Sequence, residues 1–270
     1  MTVDTEKVVR KYLRETATKD WPRIDCCNSS RSLYCPECHK ILIPGEDWPA
    51  DIRDGTLRLP FKIDIYLDTK ERKTSATGIQ VAAIASAVSG RKNDDNVGSV
   101  QIYHFEHDSV PSYNRSDSEN VYVLFPEEGS VPITSVGDID RLIVLDIKWS
   151  RQSGKRDTRF GSIKRVHLES PPAQSHYWRW HNSGTGMLCT VEAIYWATME
   201  VTQNKWSAVE RSRLIHIMWL FAIQHNKIRQ KSKLEQRAAP FSEIGKSQRR
   251  LLRQLHPGRV IQKEVIGKSI

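Results

Sequence analysis

The chain has 270 residues, of which 39% are hydrophobic and 27% are charged, and its formal net charge is +9. This composition is typical of a globular protein with one large domain and short additions, and it excludes a largely disordered chain. The most apolar stretch, residues 79–88, is too short to cross a bilayer, and no apolar segment follows the first residues, which argues against a membrane protein and against a secretory signal.

The first predicted element is an amphipathic helix over residues 4–18, and a cysteine-rich segment follows it. Cys26, Cys27, Cys35 and Cys38 fall within thirteen residues, whereas Cys189 is remote. Without a secretory signal the expected compartment is reducing, so the cluster indicates a bound metal rather than disulfides. The alternative is a set of ordinary, partly buried thiols.

The spacing of Cys35 and Cys38 is typical of a zinc half-site, because a tight turn aims both thiolates at one tetrahedral ion. The partner half is less regular, since the adjacent side chains of Cys26 and Cys27 are expected to point apart. We predict a structural zinc ion bound by Cys27, Cys35 and Cys38, with Cys26 or His39 as the fourth ligand. Such an ion would staple a loop and take no part in chemistry.

Further along the chain, strand patterns alternate with helix patterns. Strands are predicted over residues 57–67, 100–105, 121–125, 142–146 and 163–168, and helices over 76–88, 191–201 and 206–233. The runs at 121–125 and 142–146 are apolar throughout, which is typical of strands covered on both faces. The sequence therefore predicts an α/β domain with a mostly parallel sheet.

These elements divide the chain into an N-terminal helix and cysteine segment (1–48), a central domain (49–235) and a basic extension (236–270). Residues 205–270 carry 15 Lys or Arg against four Asp or Glu, and residues 147–180 carry eight against two. Such segments indicate a polyanionic partner, and aromatic residues among the charges favour nucleic acid over a membrane surface. The alternative is a solvated basic helix.

Three loops follow strands or open a helix, where an α/β sheet binds its ligands. They span residues 124–130, 146–150 and 184–193. In the last of them Cys189 or Thr190 could cap the helix, and its backbone N–H groups could hold a carboxylate or a phosphate. Each loop also has an ordinary interpretation as a strand end, a core aromatic or a helix cap.

Six short blocks in these regions together resemble the DTW-domain family of tRNA-uridine aminocarboxypropyltransferases, in particular its eukaryotic branch. The blocks are LYCPEC (33–38), LPFKIDI (59–65), VLFP (123–126), DIKW (146–149), YWR (177–179) and CTVEAIY (189–195). They follow the family's order and span about residues 26–200. The departures are Ile24 at the spacing of an expected cysteine, Glu127 and Glu128 for Gly-Pro, Lys148 for the signature threonine and Cys189 for serine.

The resemblance implies a SPOUT-like fold, whose cofactor lies in knotted loops after parallel strands. It implies transfer of the 3-amino-3-carboxypropyl group of S-adenosylmethionine to N3 of a tRNA uridine, with 5′-methylthioadenosine as the by-product. Asp146 is then the candidate general base or uridine-orienting group. The expected cofactor-binding residues are Leu124, Phe125, Pro126, Trp149, Leu188, Thr190, Glu192 and Ala193. Thr190 and nearby N–H groups would hold the cofactor carboxylate and Glu192 would receive its amino group, or either would serve only the helix start.

The same resemblance implies tRNA as the partner and, together with the basic C-terminus, a nuclear location. The expected RNA-binding residues are Lys148, Lys155, Arg156, Lys164, Arg165, Trp178, Arg179 and His181. The basic side chains would contact phosphates, whereas Trp178 would either stack on a splayed base or pack in the core. Two alternatives stay open: a non-catalytic tRNA-binding relative and a SPOUT-like RNA methyltransferase.

Overall fold

The computed structural model describes residues 2–68, 73, 76–90, 99–105, 108, 111, 113, 120–147, 160, 161, 163–178 and 187–238. The helices are α1 (Thr2–Glu15), α2 (Ala50–Arg53), α3 (Gly78–Ser89), α4 (Thr190–Val201), α5 (Ala208–Arg213) and α6 (Trp219–Ala238). The strands are β1 (Ile24–Cys26), β2 (Ser29–Arg31), β3 (Lys62–Leu67), β4 (Val100–His104), β5 (Val121–Leu124), β6 (Val131–Pro132), β7 (Arg141–Asp146) and β8 (Arg165–His167).

Six strands form one sheet in the order β4-β3-β7-β5-β8-β6, and every neighbouring pair is parallel. This confirms the predicted α/β class with a mostly parallel sheet. The hairpin β1-β2, which lies in the cysteine segment, is antiparallel and was not predicted. The knot stays a prediction, and most of the basic extension lies outside the described residues.

Side chains alternate between the two faces of the sheet, as strand geometry requires. Ile63 and Ile65 of β3 join the main core, which also contains side chains of α3, α4 and α6. Tyr66 points to the opposite face and packs there with Phe105 and Phe160 in a second apolar cluster. The sheet is therefore covered on both sides, which explains the continuous apolar runs in its strands.

A buried ion pair joins β3 to β7 in the middle of the sheet. Asp64 is fully buried, and Arg141 Nη1 donates to its two carboxylate oxygens at 2.9 and 3.1 Å. Tyr113 Oη donates to Asp64 Oδ2 at 2.6 Å. The Asp64 carboxylate is thus compensated by a charge and a hydroxyl, as a buried charge requires.

Several predicted elements differ in extent from the observed ones, and for two of them the physical reason is clear. The strand expected over 57–67 begins only at Lys62, after Pro60, which has no N–H to give to a neighbouring strand. The helix expected over 206–233 is divided into α5, a 3₁₀ helix at Leu214–Met218 and α6. A 3₁₀ helix has three residues per turn, which is close to the 3.6 of an α-helix. The apolar pattern of this short segment therefore does not distinguish it from the α-helices on either side. No helix in the described part of the chain has the length and apolar composition that a bilayer crossing needs.

Candidate functional site

The strand order creates a topological switch point at the carboxyl edge of the sheet. After β3 the chain continues to β4 on one side, whereas after β7 it continues to β8 on the other side. β3 and β7 are neighbours, with Leu67 beside Asp146 in the register. In open α/β sheets, ligands bind where adjacent strands send their connections in opposite directions. The last residue of β7 therefore lies at the expected binding position.

Asp146 is the last residue of β7, and its side chain contacts the first turn of α3. Its side chain is mostly buried, with 9% exposed, and the Gly78 N–H donates to its Oδ2 at 2.9 Å. The first N–H groups of a helix have no intrahelical acceptor and carry the positive end of the helix dipole. The Gly78 N–H therefore holds the Asp146 carboxylate in one orientation.

The first turn of α4 meets the first turn of α3 beside Asp146. Thr77 Oγ1, just before α3, accepts from the Val191 N–H of α4 at 3.2 Å. Thr190 is buried, and its Cγ2 lies against Gly78. Two positive helix ends thus converge on the carboxyl end of β7, which brings the predicted residues Asp146 and Thr190 together.

Glu192 already has protein partners. It is 1% exposed and accepts from the His176 N–H at 2.7 Å, from the Cys189 N–H at 3.2 Å and from the Ser175 hydroxyl. With Cys189 it forms the capping box of α4, so the N-cap is Cys189 rather than Thr190. These contacts tie the segment before Tyr177 to the helix, and they favour the helix-start interpretation of Glu192 over recognition of a cofactor amino group.

The loop after β5 holds the other predicted cofactor residues. Leu124 belongs to the main core and Phe125 packs against the second cluster, because successive strand residues face opposite ways. Pro126 is exposed, and Glu127 forms an ion pair with Arg165 at 2.9 Å. In α4 and just before it, Ala193 and Leu188 are half-buried against the main core.

The predicted RNA-binding residues are only partly described. Lys164 is exposed, whereas Arg165 is paired with Glu127. Trp178 is 6% exposed and packs against Tyr177 and Phe221, so its contacts favour the core interpretation over base stacking. The remaining residues of the prediction, and the cofactor residue Trp149, lie outside the described residues: Lys148, Lys155, Arg156, Arg179 and His181.

A second candidate centre lies in the cysteine segment. The Sγ atoms of Cys26, Cys27, Cys35 and Cys38 all lie within 4.8 Å of one another, so the cluster could hold a metal ion. The Cys26 and Cys38 sulfurs are 3.5 Å apart, and the Cys26 and Cys27 sulfurs are 3.9 Å apart. His39, the alternative fourth ligand, is not part of this group.

The expectation that Cys26 and Cys27 point apart is therefore wrong. Cys27 and Asn28 both have left-handed backbones, with φ of 47° and 60°, and they form the two-residue turn between β1 and β2. Such a turn requires positive φ at both central residues, and it rotates the second cysteine back toward the first. Asn28 was the sequence signal for this turn, because asparagine tolerates positive φ. Cys27 is not a typical turn residue, so the hairpin was not recognised.

The surroundings of the four thiols differ. Burial by itself raises the pKa of the Cys35 thiol, but N–H groups of Cys38 and Glu37 and the neighbouring thiols outweigh it and lower the pKa to about 7. Contact with Cys38 and Cys35 raises the pKa of the Cys26 thiol to about 12. Thiolates bind metal ions and thiols do not, so Cys35 is the ligand closest to its binding form near neutral pH.

Sequence reasoning missed Thr77 and Gly78 at the edge of the sheet. The available signal was a threonine and a glycine directly before an apolar helix, which is a common helix start. Their partners, Val191 and Asp146, are 114 and 68 residues away, so the pattern gave no indication of the contacts.

Comparisons of the chain with protein-family models, with curated proteins and with solved structures gave no match. The family resemblance thus depends on the six sequence blocks, and the fold on the geometry described above.

Proposed function

We propose that the protein transfers the 3-amino-3-carboxypropyl group of S-adenosylmethionine to N3 of a uridine in tRNA. The observation that carries the proposal is Asp146, a nearly buried carboxylate at the end of β7, fixed by the Gly78 N–H where β3 and β7 send their connections apart. The six blocks that resemble aminocarboxypropyltransferases support it, because two of them provide Asp146 and the start of α4. A nuclear location belongs to the same proposal.

The reaction is an in-line displacement at the carbon next to the sulfonium. The carbon–sulfur bond breaks, its electron pair stays on sulfur and 5′-methylthioadenosine leaves. A bond forms from uridine N3 to that carbon, and N3 loses its proton. In this proposal Asp146 accepts this proton or orients the N3–H, and the protein must present the longer arm rather than the methyl group to the base.

The residues at the edge suit parts of the cofactor. Asp146 and Thr77 already accept from the Gly78 and Val191 N–H groups, so we assign the cofactor carboxylate to the other N–H groups at the first turns of α3 and α4. Phe125, which is half-buried, offers an aromatic side chain to the adenosyl group. Glu192 has its oxygens engaged by Ser175, His176 and Cys189, so we assign it to the helix start. The amino group of the cofactor is then recognised by other atoms.

Turnover with undermodified tRNA and S-adenosylmethionine tests the proposal. We expect methylthioadenosine and a modified uridine from the unaltered protein. Asp146→Asn should lower kcat by about 100-fold or more and leave tRNA affinity unchanged, because it removes the base and keeps the shape. Asp138→Asn, which alters an exposed carboxylate paired with Lys205, is the matched control and should retain activity. Full activity of Asp146→Asn would remove Asp146 from this role.

The main alternative is a non-catalytic tRNA-binding relative, favoured by the Glu127–Arg165 pair in the loop expected to bind cofactor. It predicts salt-sensitive tRNA binding and no heat on titration with S-adenosylmethionine. Cofactor binding by calorimetry contradicts it. A methyltransferase is distinguished by methyl-labelled cofactor, since only methyl transfer puts that label on the RNA.

We also propose that the four cysteines bind one structural zinc ion. A tetrahedral site with zinc–sulfur bonds of about 2.3 Å places its sulfurs about 3.8 Å apart. The cluster, with separations of 3.5 and 3.9 Å at Cys26 and none above 4.8 Å, fits such an ion. When bound, the ion would join the β1-β2 turn to the turn at Cys35–Cys38 and leave no ligand position open.

Elemental analysis of protein purified without chelators tests the zinc site. We expect about one zinc per chain, and a loss of most of it in Cys35→Ser. Cys189→Ser, which alters a cysteine outside the cluster, should keep the metal. Less than about half an equivalent in the unaltered protein contradicts the assignment.

A further inference from the structure

Gly78 occupies a position that has no space for a side chain. A Cβ built there would lie 2.8 Å from Ile65 Cγ2, 2.9 Å from Asp146 Oδ2 and 3.2 Å from Thr190 Cγ2. The first two distances are well below a normal contact between non-bonded atoms. Ile65 is fully buried in β3 and cannot move aside without disturbing the core. Any larger residue would therefore displace the Asp146 carboxylate, the Ile65 side chain or the start of α3.

One carboxylate oxygen of Asp146 contacts Gly78 both where a side chain is absent and at the backbone N–H. Asp146 Oδ2 lies next to the vacant Cβ position and also accepts the Gly78 N–H at 2.9 Å. The absent side chain permits the approach, and the N–H fixes its direction. Thr190, at the start of α4, closes the third side. The carboxylate is thus located by α3 as well as by its own strand.

We propose that Gly78 is a positioning residue for Asp146, which holds the carboxylate between the first turns of α3 and α4 in the orientation that the uridine N3–H requires. The catalytic part of this inference rests on the proposed function. The contact itself does not, and it can be measured without turnover.

Amide hydrogen exchange at Gly78 measures the contact. Asp146→Ala removes the acceptor, so exchange of the Gly78 N–H should become about tenfold faster, which corresponds to the loss of one hydrogen bond. Asp146→Asn keeps an oxygen that can accept, so exchange should stay within about threefold of the unaltered protein. Unchanged exchange in Asp146→Ala overturns the proposal.

Kinetics of Gly78→Ala measure the consequence. We expect kcat to fall by about 100-fold while KM for S-adenosylmethionine and for tRNA changes by less than about threefold, because a misplaced carboxylate impairs the chemical step. A merely structural role would instead lower the folded fraction and leave the kcat of the folded protein unchanged. Gly45→Ala, at a glycine with no atom within 4 Å of its Cβ position, is the control and should retain both constants.

Amide exchange and kinetics together distinguish a failure of the Gly78 positioning role from a failure of the proposed function. Normal kcat in folded Gly78→Ala overturns the positioning role. Absence of turnover in the unaltered protein ends the proposed function instead, and the exchange experiment still decides whether Gly78 holds Asp146. If Gly78→Ala does not fold, the exchange rate of the Gly78 N–H in Asp146→Ala alone supports or overturns the contact.

Discussion

Asn226 shows how a single buried amide can join two distant helices. Its Nδ2 donates to the carbonyl oxygens of Leu13 at 2.6 Å and Thr16 at 3.0 Å, so α6 caps the end of α1. The last carbonyls of a helix have no intrahelical donor, and here the donor comes from more than 200 residues away. Asn226 therefore helps to fix the position of α1, together with the buried side chains of Val9 and Leu13.

Asn226→Leu should lower the free energy of unfolding by about 1–3 kcal/mol, because one buried and one partly buried carbonyl lose their donor. Thermal and urea denaturation measure this. Gln230→Leu, whose amide donates to the exposed Thr18 hydroxyl at 3.0 Å, is the matched control and should change stability by less than about 0.5 kcal/mol. Equal effects of the two changes would contradict the capping role.

Glu192→Ala tests the assignment of that carboxylate to the start of α4. It removes the acceptor for the His176 and Cys189 N–H groups, so we expect a loss of stability of about 2–4 kcal/mol, seen in urea denaturation. Glu192→Gln, which keeps one acceptor oxygen, should lose less. If Glu192→Ala remains as stable as the unaltered protein but no longer binds S-adenosylmethionine, the residue contacts the cofactor instead.

Among the elements, the β1-β2 hairpin depends most clearly on a left-handed backbone at its turn. Asn28 has φ of 60°, and a β-branched residue is strained there by about 1–2 kcal/mol. Asn28→Val should therefore weaken metal binding by roughly tenfold, because the turn that brings Cys27 toward Cys26 becomes less populated. Asn28→Gly should bind as the unaltered protein does, and chelator competition compares the two.

The sequence predicted the elements well where a pattern is local. The amphipathic face of α1, the apolar runs of β5 and β7 and the apolar helix α3 could all be recognised from periodicity. The site was recognised only in part. Asp146 and Thr190 stand out in the family blocks, but the Asp146–Gly78 contact joins residues far apart in the chain, and no periodicity reports it.

For the molecule as a whole, three half-buried histidines predict sensitivity to acid. Burial lowers the pKa of His176, His216 and His225, although Asp51 beside His216 and Glu192 near His176 act in the opposite direction. A histidine whose folded pKa is depressed supports the fold above its unfolded pKa of about 6.5. This support is lost as the pH falls from there toward the folded pKa, because the unfolded chain then binds more protons.

Melting temperatures between pH 7.5 and 5.0 measure this dependence, and we expect them to fall below about pH 6.5. His225→Gln should make the melting temperature depend less on pH, because glutamine does not titrate. The cysteine cluster is unchanged in this variant and contributes equally to both proteins. A curve of unchanged slope in His225→Gln would contradict the prediction.

The pairing of β3 with β7 also determines how this chain reaches its native state. Asp64 and Arg141, which form an ion pair between these two strands, are separated by 77 positions, and β4, β5 and β6 lie in the interval. Closing so long a loop carries an entropic penalty before any contact offsets it. Refolding should therefore be slow, on the order of milliseconds to seconds. Until β7 pairs with β3, the apolar edge of β3 is exposed and can associate with other chains.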